Sequence, residues 1–361
     1  MDQRPGCQPI GRGAHANPPN RFERLRVEPD FDQLEPDDLD PAHRGHRKTE
    51  YLPDDARTIV TENDSPDVPF RYSLNPYRGC THGCSYCYAR PTHEYLGFSA
   101  GLDFETKILV KERAAALFRE FLARPAWRAE PVALSGVTDP YQPAERQFQL
   151  TRQCLEVALQ ARQPLSITTK NALVVRDLDL LRPMAELGLV HVSMSITSLK
   201  QSLIRVMEPR TSAPESRLGA MRQLAEAGVP LCVVVAPVIP GLNDSEIPAI
   251  LAACAEAGAR SAAYQLLRLP LSVKPVFLEW LSRTHPLQQE RIEAMIRSTR
   301  DGELNCAEFG LRMTGTGALA AQIGQLFHTF ARKHGLDRDL PELDGSQFRP
   351  PRIDDRQLRL F

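Results

Sequence analysis

Six short apolar runs recur along the middle of the chain, and stretches of helical period separate them. That alternation narrows the possible folds more than any other feature. "RYSLN" (71–75), "PVALSGVT" (131–138), "LSITTK" (165–170), "VHVSMSIT" (190–197), "LCVVVAPV" (231–238) and "AAYQLL" (262–267) have strand length and are often β-branched. Between them lie "KERAAALFREFLA", "FQLTRQCLEVALQARQ", "VRDLDLLRPMAELG", "APESRLGAMRQLAEAG" and "DSEIPAILAACAEAG", several ending at Gly as a helix C-terminus does. Strands that alternate with helices imply a parallel sheet with right-handed crossovers. The runs are nearly all apolar, so both sheet faces are expected to be buried. An open doubly wound sheet and a partial or full barrel both satisfy this α/β pattern. In either, ligand chemistry belongs at the C-terminal ends of the strands.

The flanks differ in character. Residues 1–65 are rich in Pro, Arg, Asp and Glu without sustained apolar period, which reads as an extended, solvated arm. The βα body is expected over 66–285. Two helical stretches, "LQQERIEAMIRSTRDG" and "TGALAAQIGQLFHTFARKHG", form an extension over 286–340, and 341–361 is a Pro- and Arg-rich flexible tail. Of the 361 residues 42% are hydrophobic and 25% charged, enough for a proper core. No apolar run reaches the ~20 residues of a membrane span, and the N-terminus carries no signal-peptide pattern, so a cytoplasmic protein without membrane contact is expected. A net charge of −1 means that any contact with nucleic acid depends on a local patch.

Of eight cysteines, Cys7, Cys154, Cys232, Cys254 and Cys306 are dispersed, and Cys232 and Cys254 sit in apolar runs suited to buried free thiols. Cys80, Cys84 and Cys87 crowd into "NPYRGCTHGCSYCYARPTHEY", directly after the first strand. Three thiolates on a cubane iron–sulfur cluster leave one iron open to another ligand. The competing reading is a structural zinc completed by His82 or His93, although only one C-x-x-C knuckle is present. A third is three unconnected core cysteines, which the surrounding Gly, His, Ser and Tyr disfavour. Cys306 and Cys7 cannot hold a second cluster, so one cluster per chain is expected.

C-x3-C-x2-C with Tyr86 before the last Cys, following the first strand of a six-fold βα pattern, resembles the radical S-adenosylmethionine superfamily over roughly 70–285. The resemblance implies a partial (βα)6 TIM-type barrel holding a [4Fe–4S] cluster on Cys80, Cys84 and Cys87. S-adenosylmethionine would bind the open iron and an external one-electron reductant would cleave it to a deoxyadenosyl radical. By position, it further implies cofactor contacts from Tyr86, from Ser135, Gly136, Thr138 and Asp139 after strand two, and from Lys170 after strand three. Ser195 and Thr197 on strand four and the Pro240–Gly241 turn after strand five complete the set. Strand-end Ser and Thr residues also commonly cap the following helix.

"ITTKN", "VSMSIT", "MEPRTSAPESRLGAMRQLAEAGVPLCVVVAPV" and "CSYCYA" are similar to the spore photoproduct lyase group, whose known members repair thymine dimers in DNA. That lyase has a hydrogen-donating cysteine in a Cys-x-x-Asp setting where this chain reads "GVTD". Gly136 replaces the thiol, and Tyr141 is the candidate for a different relay. Gln357, Leu358, Leu360 and Phe361 at the C-terminus resemble the pentapeptide that repair proteins insert into the sliding clamp. The tail arginines Arg349, Arg352, Arg356 and Arg359 could meet phosphates, diluted by Asp354 and Asp355. Action on DNA or another nucleic acid is the leading expectation. A peptide or small-metabolite substrate, or a non-catalytic metal module, is the alternative.

Overall fold

The structure, a computed structural model, describes residues 11–23 and 48–352. The strands are β1 (Glu50–Pro53), β2 (Val60–Glu62), β3 (Tyr72–Leu74), β4 (Tyr77–Arg78), β5 (Lys107–Val110), β6 (Val132–Leu134), β7 (Leu165–Thr169), β8 (Val190–Ser195), β9 (Leu231–Val238) and β10 (Ser261–Leu266). β10-β9-β8-β7-β6-β3 run parallel in that spatial order, and β2 adds an antiparallel edge beside β3. These parallel strands are the six apolar runs of the sequence. A small second sheet has the order β1-β5-β4.

Register explains why the runs are so uniformly apolar. Leu74, Leu134, Ile167, Val192 and Leu231 are successive partners across β3, β6, β7, β8 and β9, and all five are fully buried. Each contributes roughly 1.5–3 kcal/mol by leaving water. Helices α1 (Ala114–Leu122), α2 (Leu150–Ala161), α3 (Leu178–Glu186), α4 (Pro214–Glu226) and α5 (Ile247–Glu256) follow the successive strands, as their apolar period requires. Then come α6 (Val273–Thr284), α7 (Gln289–Ser298) and α8 (Gly317–Lys333). α8 is part of the main core: Ile323 and Phe327 are buried there, with the Phe327 ring 4.7 Å from that of Tyr264 on β10.

The edge strands β2 and β10 do not pair with each other, so the sheet is a partial barrel rather than a closed one. Its open side is bridged by side chains. Asp67, between β2 and β3, accepts a bond from the Gly310 N–H (2.7 Å) and pairs with Arg312, which also donates to Ser65.

Residues 1–65 are not simply an extended, solvated arm. Among its described residues, β1 and β2 join the two sheets, and Gly11, Gly13, Ala14 and Asn20 are buried. Their contacts run through backbone and amide groups, so no apolar period marks them. The clamp-like residues 357–361 lie outside the described residues.

Candidate radical-chemistry site

The loop after β4 carries the thiols and is fastened along its length. Cys80 N–H donates to the Phe104 carbonyl (2.9 Å), and Gln142 accepts from Thr81 N–H (2.9 Å) and donates to the Gly79 carbonyl (3.0 Å). Ser85 N–H reaches the Met207 carbonyl (3.0 Å). Arg90, fully buried, donates to the Cys84 carbonyl (2.8 and 3.1 Å) and to those of Ala100 and Gly101, and pairs with Glu105 at 2.9 Å. Glu105 also accepts from the backbone N–H groups of Arg12, Gly13 and Ala14, which docks the N-terminal segment beneath the loop. The approach is close: a Cβ on Gly13 would stand 1.8 Å from the Gly83 carbonyl oxygen.

On its other side the loop faces a cavity of about 220 Å³ at the C-terminal ends of the strands. Cys80, Cys84, Cys87, Tyr86, Ser135, Gly136, Thr138, Asp139, Lys170 and Ser195 all line it, so ten of the residues singled out from the sequence meet in one space. Thr197, Pro240, Gly241 and Tyr141 do not. Thr197 turns to Glu208 and the Ala236 carbonyl. Gly241 lies against α7, where a Cβ would stand 2.6 Å from Met295 Sδ; Ala236 and Pro237 are what β9 presents instead. Tyr141 N–H caps onto Asp139 (2.8 Å), and that turn sends its ring into the main core, fully buried with an unpartnered hydroxyl. Tyr141 therefore offers no hydroxyl to this cavity.

Electrostatics distinguish the walls. Burial pushes the Cys80 thiol up to about 12, assisted by Asp139 and Cys87, and raises Cys84 and Cys87 as well. Cys80 and Cys84 are buried and Cys87 half-buried, and the nearby Lys170 and Arg90 charges do not offset the desolvation. Such thiols form a donor set that metal completes, since coordination requires thiolate and supplies positive charge. Among the described residues no three His, Cys, Asp or Glu side chains close on a single metal ion. His93 Nε2 is committed to the Lys107 carbonyl (2.9 Å). His82 lines the cavity, but its ring is engaged too. Asn171 Oδ1 accepts from Leu173 N–H and Ser212, so its amide NH2 faces His82 Nε2 at 3.2 Å. The other nitrogen, Nδ1, lies 3.5 Å from Asp139 Oδ2, and burial lowers the His82 pKa. His82 is thus engaged through both ring nitrogens, whereas His93, whose Nδ1 has no partner, does not line the cavity.

Opposite the thiols, Lys170 donates to Ser195, to the Ala236 carbonyl (3.0 Å) and to Thr197 (3.4 Å), with Glu208 at 3.6 Å. Glu208 is fully buried and also receives Tyr86 and Arg217. Burial raises its pKa, yet Arg217 and Lys170, with bonds from Thr197 and Tyr86, hold it well below the carboxylate range. Asp139 accepts from Thr169 (2.7 Å), Lys170 N–H (2.7 Å) and Tyr141 N–H, so it pins two strand ends together. Asn75 does the same for the next loop, accepting from Val137 and Thr138 N–H at 3.1 Å.

With a thiol-lined cavity at the strand ends of an open parallel barrel established, sequence comparison decides the family. The Radical SAM superfamily profile matches residues 74–254. The chain belongs to that superfamily. Relatives of the chain include an uncharacterized protein of Mycobacterium tuberculosis, Rv2578c, 42% identical over 232 residues, or 64% of this chain and 68% of that one. Another, MJ0683 of Methanocaldococcus jannaschii, is 31% identical over 176 residues, 49% of this chain and 63% of that one. Spore photoproduct lyase complexed with dinucleoside spore photoproduct overlays with a TM-score of 0.58 at 19% identity, covering 79% of each chain. The likeness supports the shared partial barrel. Radical SAM enzymes require a reductant. No helix among the described residues is long and apolar enough to cross a membrane.

Within this radical SAM frame, sequence reasoning missed Glu208, Arg217, Gln142, Asn75, Tyr88 and Arg268. Tyr88 stands directly after the last cysteine and lines the cavity. Glu208 and Arg217 lie inside "MEPRTSAPESR", whose acid and base nine positions apart are the only signal that could have paired them.

Proposed function

We propose that this radical SAM enzyme binds one [4Fe–4S] cluster on Cys80, Cys84 and Cys87 and acts on nucleic acid. The observation that carries the reading is the single cavity shared by the three thiols and the strand-end group around Lys170. Ser135, Thr138, Lys170 and Ser195 are the groups that would hold S-adenosylmethionine. When bound, cluster and cofactor supply one-electron bond cleavage and with it a radical that abstracts hydrogen. The chain's own part is to hold, orient and enclose. Gln142 and Arg90 fix the thiol loop, Asp139 and Asn75 fix the opposing strand ends, and Lys170 stays in place because Glu208 holds it.

The nucleic-acid substrate is supported by the barrel's likeness to a structure holding a dinucleoside lesion. Gly136 argues against the lyase's thiol relay at this position. Its φ of +108° is a conformation in which cysteine is strained, although the nearest atoms to an added Cβ are 3.7 Å away. The test is 5′-deoxyadenosine formation by anaerobically reconstituted, reduced protein, with Cys84→Ala as control. Wild-type product that rises severalfold with damaged oligonucleotides supports the proposal. Product indifferent to every nucleic acid but raised by a peptide or metabolite refutes the substrate, and none from a cluster-loaded protein under any condition refutes the chemistry.

A further inference from the structure

The cavity wall holds a guanidinium that no carboxylate among the described residues neutralises. Arg268, just past β10, lines the cavity beside Gly136 and Tyr88. Its Nε is enclosed without a hydrogen-bond partner, and its Nη1 has only Met313 Sδ at 3.8 Å. Asp67, the acid whose charge it feels, is already taken by Arg312 and by the Gly310 N–H. Arg312 adds a second positive charge nearby. Lys170, the other cation of the wall, already has an acid in Glu208 at 3.6 Å and belongs to the group assigned above to the cofactor.

Arg268 is also fixed in place. Its Cζ lies 5.7 Å from the centroid of the Tyr88 ring, and the Tyr88 hydroxyl donates to the Gly136 carbonyl at 2.5 Å. A positioned guanidinium with an idle donor, half buried beside an aromatic ring, suits an oxyanion that brings its own charge. Leaving that Nε unpaired costs free energy which a ligand oxygen would recover.

We propose that Arg268 anchors the substrate by a phosphodiester oxygen, holding the backbone at the mouth while the adjoining nucleoside enters the cavity. This rests on the nucleic-acid reading above. The experiment is calorimetric titration of the cluster-loaded full chain with thymidylyl-thymidine and with its neutral methylphosphonate counterpart, for wild type, Arg268→Gln and Arg268→Lys. Charge-assisted hydrogen bonds predict that wild type favours the phosphodiester by about ten- to a hundredfold. That ratio is expected to fall near one in Arg268→Gln and to be partly kept in Arg268→Lys, with melting temperature and cluster absorbance certifying that each variant is folded. Equal binding of both dinucleotides by wild type, or an unchanged ratio in a folded Arg268→Gln, overturns the anchor and leaves the nucleic-acid reading standing. Binding of neither dinucleotide by wild type overturns the anchor as well, while the nucleic-acid reading itself is decided by the deoxyadenosine assay above.

Discussion

Replacing Glu105 by Gln tests whether the thiol loop is held from below. The change keeps shape but removes the charge that Arg90, with no exposed surface, meets at 2.9 Å. Breaking a fully buried pair costs about 3–5 kcal/mol, because the surviving charge is left without a counter-ion. Four bonds from Arg90 to the carbonyls of Cys84, Ala100 and Gly101 remain, which places the expected loss near ~3 kcal/mol. Unfolding 361 residues at about 2.1 cal/mol/K each gives roughly 0.76 kcal/mol/K, so the melting temperature should fall by about 4 °C. Anaerobic differential scanning measures it. Trypsin should also cut sooner at Arg12 and Arg21, since the Glu105 carboxylate holds the backbone of residues 12–14. The double variant Arg90→Met, Glu105→Leu removes both charges and should be less destabilised than Glu105→Leu alone. Equal or greater damage in the double variant would refute the argument from an orphaned buried charge.

Glu208→Gln should likewise cost about 3–5 kcal/mol at neutral pH, since Arg217 is left buried and Lys170 loses its acid. Because the folded pKa lies below the ordinary 4.5, the wild-type advantage is full above pH 4.5 and shrinks as pH falls from there toward the folded value. Urea melts of both proteins from pH 7 down to 3 check this, and a gap that widens on acidification would contradict it. Gly136→Ala and Gly136→Cys should lose the same ~1–3 kcal/mol, because the cost is in the backbone and not in the 3.7 Å of space around an added Cβ. A tolerated Ala beside a damaging Cys, read by chemical denaturation, would reverse the reasoning.

The six parallel strands were legible because each carries buried apolar residues in a short run between helical stretches, even where β7 exposes Thr168 and β10 exposes Ala263. β1, β2, β4 and β5 were not, since they span two to four residues and owe their existence to partners far along the chain, such as Glu50–Pro53 on Lys107–Val110. "GRGAHANPPNRF" looks solvated by composition, yet Gly13 and Asn20 bury themselves through close backbone approach and amide bonds that no hydropathy pattern registers. In the site, cysteine spacing carried its own meaning. Tyr141, Pro240 and Gly241 lie off the cavity, since distance past a strand end does not reveal which way a turn points. Glu208 stayed hidden since a buried acid is defined by the cations folding brings to it.

A closed barrel sets its bore by strand number and stagger, so its width cannot change without rebuilding the ladder. This barrel is left unsealed between β10 and β2, and Asp67 meets Gly310 and Arg312 across the gap. The aperture is thus dimensioned by two loops, and loops accept insertions that strands do not. Lengthening either one retailors the entrance for a bulkier guest while every rung of the sheet, and the thiol loop beside it, stays as built.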